Sequence, residues 1–222
     1  MRTLTTLAVL FLTASPFLAG CRATKSDVQS TDRPKSAEHG DMASMLPPGM
    51  TEADMMACMQ AATPGEEHAL LAKGAGRWSG KSTMWMAPGT TPMTNACFAT
   101  MTPLMDGRFL HAEYKGEMEG MGPFHGVGFY GFDNVTQEYV STWIDNMGTG
   151  IMTGTGEASS SGKTITWNYV FNDPMTKKPM KMREVESHPD ANTMTLEAYM
   201  ADRATGKEFL MMRIEMKRQS DA

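Results

Sequence analysis

Lys163-Thr-Ile-Thr-Trp-Asn-Tyr-Val-Phe171 is the stretch that decides the fold. Ile165, Trp167, Tyr169 and Phe171 fall on one side of an extended chain, and Thr164, Thr166 and Asn168 fall on the other. Successive side chains of a β-strand point to opposite faces, so this is a strand with one buried face. Met194, Leu196, Ala198 and Met200 alternate in the same way, as do Leu210, Met212, Ile214 and Met216. Further strands are expected at 77–86, 95–102, 107–116, 124–132, 137–145, 149–157 and 179–187. Turn signals separate them, among them Asp106-Gly107, Asp133-Asn134, Asp173-Pro174 and Thr205-Gly206. No helix-length pattern intervenes, which excludes parallel crossovers and favours an antiparallel meander. About ten strands on so short a chain should curl and close, removing the sheet edges. The expected fold is all-β, an antiparallel up-and-down barrel.

Upstream of the strands the pattern changes twice. Thr51-Glu52-Ala53-Asp54 has the form of a capping box, and Thr63-Pro64-Gly65-Glu66 places Thr63 at the N-cap, Pro64 at N1 and Glu66 at N3 of a second short helix. Leu70 and Leu71 give that helix an apolar side, and Gly74 or Gly76 ends it. The domain is therefore expected over 51–218, as a helical cap on a barrel. Residues 21–50 are rich in Ser, Thr, Asp, Lys, Pro and Gly and poor in branched apolar and aromatic residues, a composition that cannot offset its ordering entropy and reads as a flexible tether. Residues 1–20 have the form of a signal peptide: Arg2, then a mostly apolar run from Leu4 to Phe17, then small residues. Leu18-Ala19-Gly20-Cys21 resembles the bacterial lipobox, which implies lipidation of Cys21, with palmitate among the acyl chains, and removal of 1–20. Arg22 in place of Asp after the cysteine points to the outer membrane, with the protein facing the periplasm.

The chain carries 20 Lys+Arg against 25 Asp+Glu, a formal charge of −5. That balance argues against a general nucleic-acid binder, which shows a basic stripe. With 3 Cys there are too few for a disulfide scaffold. Cys58 and Cys97 are able to pair in an oxidising compartment, although spacing does not show that they do.

Gly126-Val-Gly128-Phe-Tyr-Gly131 matches the dinucleotide-binding pattern, but a helix must follow the glycines and here another strand does. Strand curvature or bulging is the better account. Phe109, His111, Glu113 and Lys115 share one face of their strand and Leu110, Ala112 and Tyr114 the other; Tyr139, Ser141, Trp143 and Asp145 oppose Val140, Thr142 and Ile144. Such mixed faces suit a barrel with a partly polar cavity, or equally an amphipathic surface decorated with aromatics. On the first view the expected lining is Phe109, His111, Trp143, Asp145, Trp167 and Tyr169, with Arg108 or Arg183 able to pair with a ligand carboxylate. The ligand is then a small apolar or amphipathic molecule such as a fatty acid or isoprenoid.

Two alternatives belong to other classes. His111, Glu113 and Asp145 make an acid–base set at a barrel mouth if all face one cavity. Between His39 and Met59 lie Met42, Met45, Met50, Met55, Met56 and Cys58. Thioethers and thiols are soft ligands that select Cu(I), so Met42, Met45, Met50 and Cys58 are candidate copper ligands. The competing account packs Met55, Met56 and Met59 against the barrel. No other cofactor is expected.

Residues 51–218 also resemble a known family, the bacterial domain-of-unknown-function family 1579. The resemblance rests on Thr63-Pro-Gly-Glu-Glu-His68 with Leu71, Gly76 and Trp78, on Leu104-Met-Asp-Gly-Arg-Phe-Leu110, on the 126–134 glycine run, on Tyr139-Val-Ser-Thr-Trp-Ile-Asp-Asn-Met-Gly-Thr-Gly150, and on Asp173-Pro-Met-Thr176 and Gly206-Lys207. Lys177 departs from it, standing where the hairpin glycine is expected. The resemblance implies a lipocalin-like barrel, often exported or lipid-anchored, and no assigned catalytic residues.

Overall fold

A computed structural model describes residues 46–220. The signal peptide at 1–20, Cys21, most of the 21–50 tether, Met42 and Met45 lie outside the described residues. Two short helices, α1 (Glu52–Ala62) and α2 (Glu66–Ala72), precede ten strands: β1 (Gly76–Met84), β2 (Met93–Leu104), β3 (Phe109–Met118), β4 (Gly122–Asp133), β5 (Glu138–Asp145), β6 (Met152–Ala158), β7 (Thr164–Asn172), β8 (Pro179–Asp190), β9 (Thr193–Ala201) and β10 (Glu208–Arg218). Each strand pairs antiparallel with the next, and β1 pairs with β10 as well, closing the barrel. Trp78 on β1 is thus opposite Ala99 on one side and Arg218 on the other. All ten expected strands are present, and the barrel is lipocalin-like.

The first capping box forms as expected: Thr51 N donates to Asp54 Oδ2 at 2.8 Å and Asp54 N to Thr51 Oγ1 at 3.2 Å. The second helix starts later than the sequence suggests. Thr63 Oγ1 is already used, donating to Met59 O at 2.7 Å, so it closes α1 instead of opening α2. Gly65 is the N-cap, and its N–H donates to the His68 ring Nδ1 at 3.0 Å. The packing account of α1 also needs correction. The helix has no buried residue, and Met56 and Met59 are more than half exposed because α1 lies against the hairpin ends and not over the apolar interior. It is held there by polar latches: Asn134 Nδ2 donates to the carbonyls of Ala61 and Thr63, and Arg108 Nε to Ala62 O.

α2 closes one end of the barrel. Its Leu71 is buried, and Leu70 packs beside it on the core that includes Trp78, Met101, Leu110 and Ile165. Trp78 is 1% exposed, its indole Nε1 donates to Gly74 O at 2.9 Å, and the Arg218 guanidinium lies 4.2 Å over its ring. The glycines of β4 and β6 sit opposite aromatic rings: Gly128 pairs with Trp143, Gly154 with Tyr169 and Gly156 with Trp167. A Cβ on Gly154 or Gly156 would fall 2.7 or 2.6 Å from the facing ring, so these positions are bare to let the rings lie flat on the inner wall. The same holds in the run that mimics a dinucleotide motif, where a Cβ on Gly126 would run into the Trp143 ring and one on Gly128 would fall 2.9 Å from that of Tyr130.

Candidate ligand-binding site

Opposite α2 the barrel interior is not filled. A cavity of about 210 Å³ lies between the inner faces of the strands toward that end. Its walls are mostly apolar, with Met84, Met118, Met152, Met182 and Met212 toward the mouth and Tyr114, Tyr130, Tyr169 and Leu196 deeper in. The alternation of the strands explains the wall. On β3, Tyr114 points in with Leu110 and Ala112; on β5, Trp143 and Asp145 point in with Tyr139 and Ser141. Trp143 rests between Tyr114 and Phe124, at centroid distances of 5.6 and 6.5 Å. Its Nε1 donates to Asp145 Oδ2 at 2.9 Å, and Met147 N donates to the other oxygen at 2.9 Å, so Asp145 is fixed at the rim.

Of the expected lining residues, Trp143, Asp145 and Tyr169 face this cavity. Trp167 is fully buried but lies in the packed core beneath it, 5.2 Å from Tyr130 by ring centroids. Three others are corrected. Phe109 and His111 stand on the outside of β3, where Phe109 covers Gly131 of the neighbouring strand and His111 stacks on Phe129 at 5.1 Å. Their apolar contacts are with the outer wall, which is why the sequence made that face look like an inner one. Arg183 is also outside: it donates to Glu208 at 2.6 and 3.0 Å and lies 4.1 Å over the Tyr199 ring. Arg108 is spent on main-chain carbonyls at the α2 end. A ligand carboxylate in the cavity therefore has no arginine from either position.

The acid–base set does not assemble. Glu113 and His111 are outside, Glu113 bonding Lys115 and His125 at 2.8 Å, while Asp145 is inside with the wall between them. Cys97 is buried on the inner wall and Cys58 is exposed on α1; the two do not pair. Burial pushes the Cys97 thiol up to about 11, so it stays protonated at neutral pH. Met50 and Cys58 are within the described residues, and among those residues no group of three or more His, Cys, Asp or Glu is placed to hold a metal ion. No helix among them is long and apolar enough to cross a membrane.

The most unusual residue of the site is not among those expected from sequence. Glu184 on β8 points into the cavity beside Tyr169 and Leu196, is 6% exposed, and its Oε1 has no hydrogen-bond partner. Burial, assisted by the charge of Glu186, pushes its carboxyl up from 4.5 to about 8. Burial likewise raises the Tyr114, Tyr130 and Tyr169 phenols well above their ordinary range, so they remain neutral O–H groups around it. A signal was available: Met180 and Met182 set the inward parity of β8, and Glu184 is the next member of that frame.

The same architecture is recognised in sequence. A family model described as "Protein of unknown function (DUF1579)" matches residues 63–218. The chain belongs to this family. The matched region runs from the end of α1 through β10, so the cavity and its carboxyl group lie wholly within the DUF1579 domain. No curated protein matches the sequence. Among solved structures, Rv2717c from M. tuberculosis superposes with a TM-score of 0.55 at 14% identity, covering 71% of this chain and 100% of that one. At such identity the likeness is one of fold. The S-type phycobiliprotein lyase CPES from Guillardia theta gives a TM-score of 0.48 at 8% identity over 74% of this chain and 97% of its own.

Proposed function

We propose that this DUF1579 protein is an envelope lipoprotein, held at the outer membrane through acylated Cys21 and facing the periplasm, whose barrel binds a small apolar or amphipathic molecule. The observation that carries the reading is the 210 Å³ cavity in a barrel whose other end is covered by α2 and leaves a void of about 30 Å³ beneath it. An apolar cavity of roughly 150 Å³ already takes up benzene, so this one has room for a ring or a short chain. Each buried methylene of such a ligand contributes about 0.8 kcal/mol, which supports micromolar binding for a chain of modest length. For the anchor, the support is the lipobox-like Leu18-Ala19-Gly20-Cys21 after an apolar run.

Saturable quenching or enhancement of Trp143 fluorescence by a short-chain apolar ligand tests the cavity. Ser82 lines it and is half-buried, so Ser82→Phe should fill the mouth, abolish the response and leave the far-ultraviolet dichroism unchanged. Binding that survives that variant at full strength would place the ligand elsewhere. Cys21→Ala should lose palmitate labelling and membrane fractionation; unchanged labelling sinks the anchor.

A further inference from the structure

We propose that the molecule bound in the cavity is an apolar amine, its protonated nitrogen seated against Glu184 and its hydrocarbon or aryl body directed toward the methionine-lined mouth. This assignment rests on the cavity reading above and names the chemistry of its occupant. Three observations carry it. The charged residues lining the cavity are all acidic: Glu184 deep within, Asp145 at the rim, and Glu117 exposed at the mouth on the outward parity of β3, with no Lys, Arg or His among the described lining residues. Asp145 already accepts from Trp143 and Met147, whereas Glu184 Oε1 has no partner although its side chain is enclosed. Around Glu184 stand aromatic rings, those of Tyr114, Tyr130 and Tyr169, whose faces attract a cation once water is excluded.

The energetics favour that occupant over the alternatives. A buried carboxyl group without a partner is costly, and an ammonium donor supplies the missing hydrogen bond together with opposite charge. A carboxylate ligand finds no cation in the cavity and shares it with the Asp145 carboxylate, so no charge pairing stabilises it. An alcohol is able to bond Glu184 but gains no charge pairing. A hydrogen bond between charged groups is stronger than one between neutral groups, so the amine should bind at least ~10-fold more tightly than the alcohol of equal length.

The neighbours of Glu184 that titrate are Glu186 on the same strand, Tyr114 on β3, Tyr130 on β4, Tyr169 on β7 and Cys97 on β2. The phenols and the thiol hold their protons at pH 7, and loss of the proton release in Glu184→Gln assigns the leaving proton to Glu184 rather than to Glu186. Seating an ammonium should ionise that carboxyl and release up to one proton, readable by calorimetry in two buffers of different ionisation heat.

The experiment uses octylamine, octanol and octanoate against the purified protein and its Glu184→Gln variant at pH 7, by calorimetry and Trp143 fluorescence. The expected result is octylamine binding at least ~10-fold tighter than octanol, octanoate weakest, proton release with the amine alone, and loss of both the preference and the proton release in Glu184→Gln. Equal affinities for all three, or amine binding unchanged by Glu184→Gln, overturn the charge assignment while leaving the cavity reading standing. Octanoate as the tightest ligand also overturns it. Binding of none of the three contradicts the cavity reading itself, and the assignment with it. A Glu184→Asp variant, which retains the charge, should recover part of the amine preference; a purely structural role for Glu184 gives no such rescue.

Discussion

At the α2 end of the barrel, polar groups that go inside find partners: the Trp78 indole bonds Gly74 O, the His68 ring accepts from Gly65 N, and Arg218 donates to the carbonyls of Lys73, Ala75 and Ala191. Toward the opposite end the interior holds a 210 Å³ void lined by Glu184, and among the described residues the buried side-chain atoms left without partners are Ser141 Oγ, Trp167 Nε1 and Glu184 Oε1, on β5, β7 and β8. Trp167 and Glu184 are direct cross-strand partners. One barrel thus carries a finished end, where folding energy is collected, and an unfinished one, where interior volume and a carboxyl group are held ready. Stability and binding are separated along the barrel axis, and that separation can be attacked from either side.

The largest effect is expected from Glu184. Its folded-state value of about 8 stands above the ordinary 4.5, so the folded protein keeps a proton that the unfolded chain has lost. The sign follows: this contribution to stability is complete below pH 4.5 and is lost as pH rises from 4.5 through about 8. At about 1.4 kcal/mol per tenfold change in proton affinity, the span amounts to on the order of 4–5 kcal/mol. Glu184→Gln should remove this slope, so that chemical denaturation of the ligand-free protein at pH 5 and pH 9 gives a much smaller difference for the variant than for the wild type. Parallel pH profiles would mean that the deep cavity is already solvated and the unfinished end is under no electrostatic load.

Next in size comes a direct contrast of the two ends. Trp78→Ala empties a fully packed site and strips the ring from under Arg218, and should lower the unfolding free energy by about 3–5 kcal/mol. Met118→Ala, at the cavity mouth, removes a side chain that already borders empty space and should cost under about 1 kcal/mol. Denaturant midpoints of the two variants check the difference. Equal losses would erase the comparison, because they would show the mouth to be packed as tightly as the sealed end.

The ten strands were legible because each has one face that must avoid water, and a period of two survives in the sequence wherever that face is apolar. β7, with Ile165, Trp167 and Tyr169, shows it without ambiguity. The site was only partly legible for the converse reason. β3 carries rings on both faces, since Phe109 lies over Gly131 and His111 over Phe129 on the outside, beside Glu113 and Lys115, while Leu110, Ala112 and Tyr114 fill the inside. Hydrophobic pattern alone cannot tell those faces apart; only the pairing of an aromatic ring with a glycine one strand away does so. On β8 the charges misled in the other direction. Arg183 looked like a partner for an anion, but its neighbours Met182 and Glu184 hold the inward positions and send it out to Glu208. The helix that follows Thr63 began later than the capping pattern implied, because Thr63 had already bonded backward to Met59.

The smallest effect concerns the hairpins that frame the two ends, and it tests the one departure from the family pattern. Three turns share a design. Asp133, Asp173 and Asp202 each accept at their own carbonyl from the N–H four residues on, at 2.7, 2.8 and 2.7 Å, and each uses a side-chain oxygen on the N–H two residues on. The fifth residue must then be left-handed: Gln137 has φ 59°, Lys177 φ 57° and Gly206 φ 70°. Only Gly206 takes that conformation without a Cβ clash; for other residues the left-handed region costs roughly 1–2 kcal/mol. The β7–β8 turn tolerates Lys177 because Asp173 is fixed from several sides, accepting from Thr176 Oγ1 at 2.7 Å and from Arg203 at 2.9 and 3.1 Å. These bonds, with the Arg203 guanidinium foremost among them, hold the Asp173 carboxyl well below the usual carboxylate range. Lys177→Gly should therefore stabilise the protein, by about 0.5–1 kcal/mol after allowing for the greater freedom of glycine in the unfolded chain. Gly206→Lys should destabilise by a similar amount, and the double exchange should come close to neutral. Because both turns lie at the cavity end, away from the inner wall, ligand affinity should not move with either change. A Lys177→Gly variant that is less stable than the wild type would show that the lysine side chain, and not the backbone, holds this hairpin.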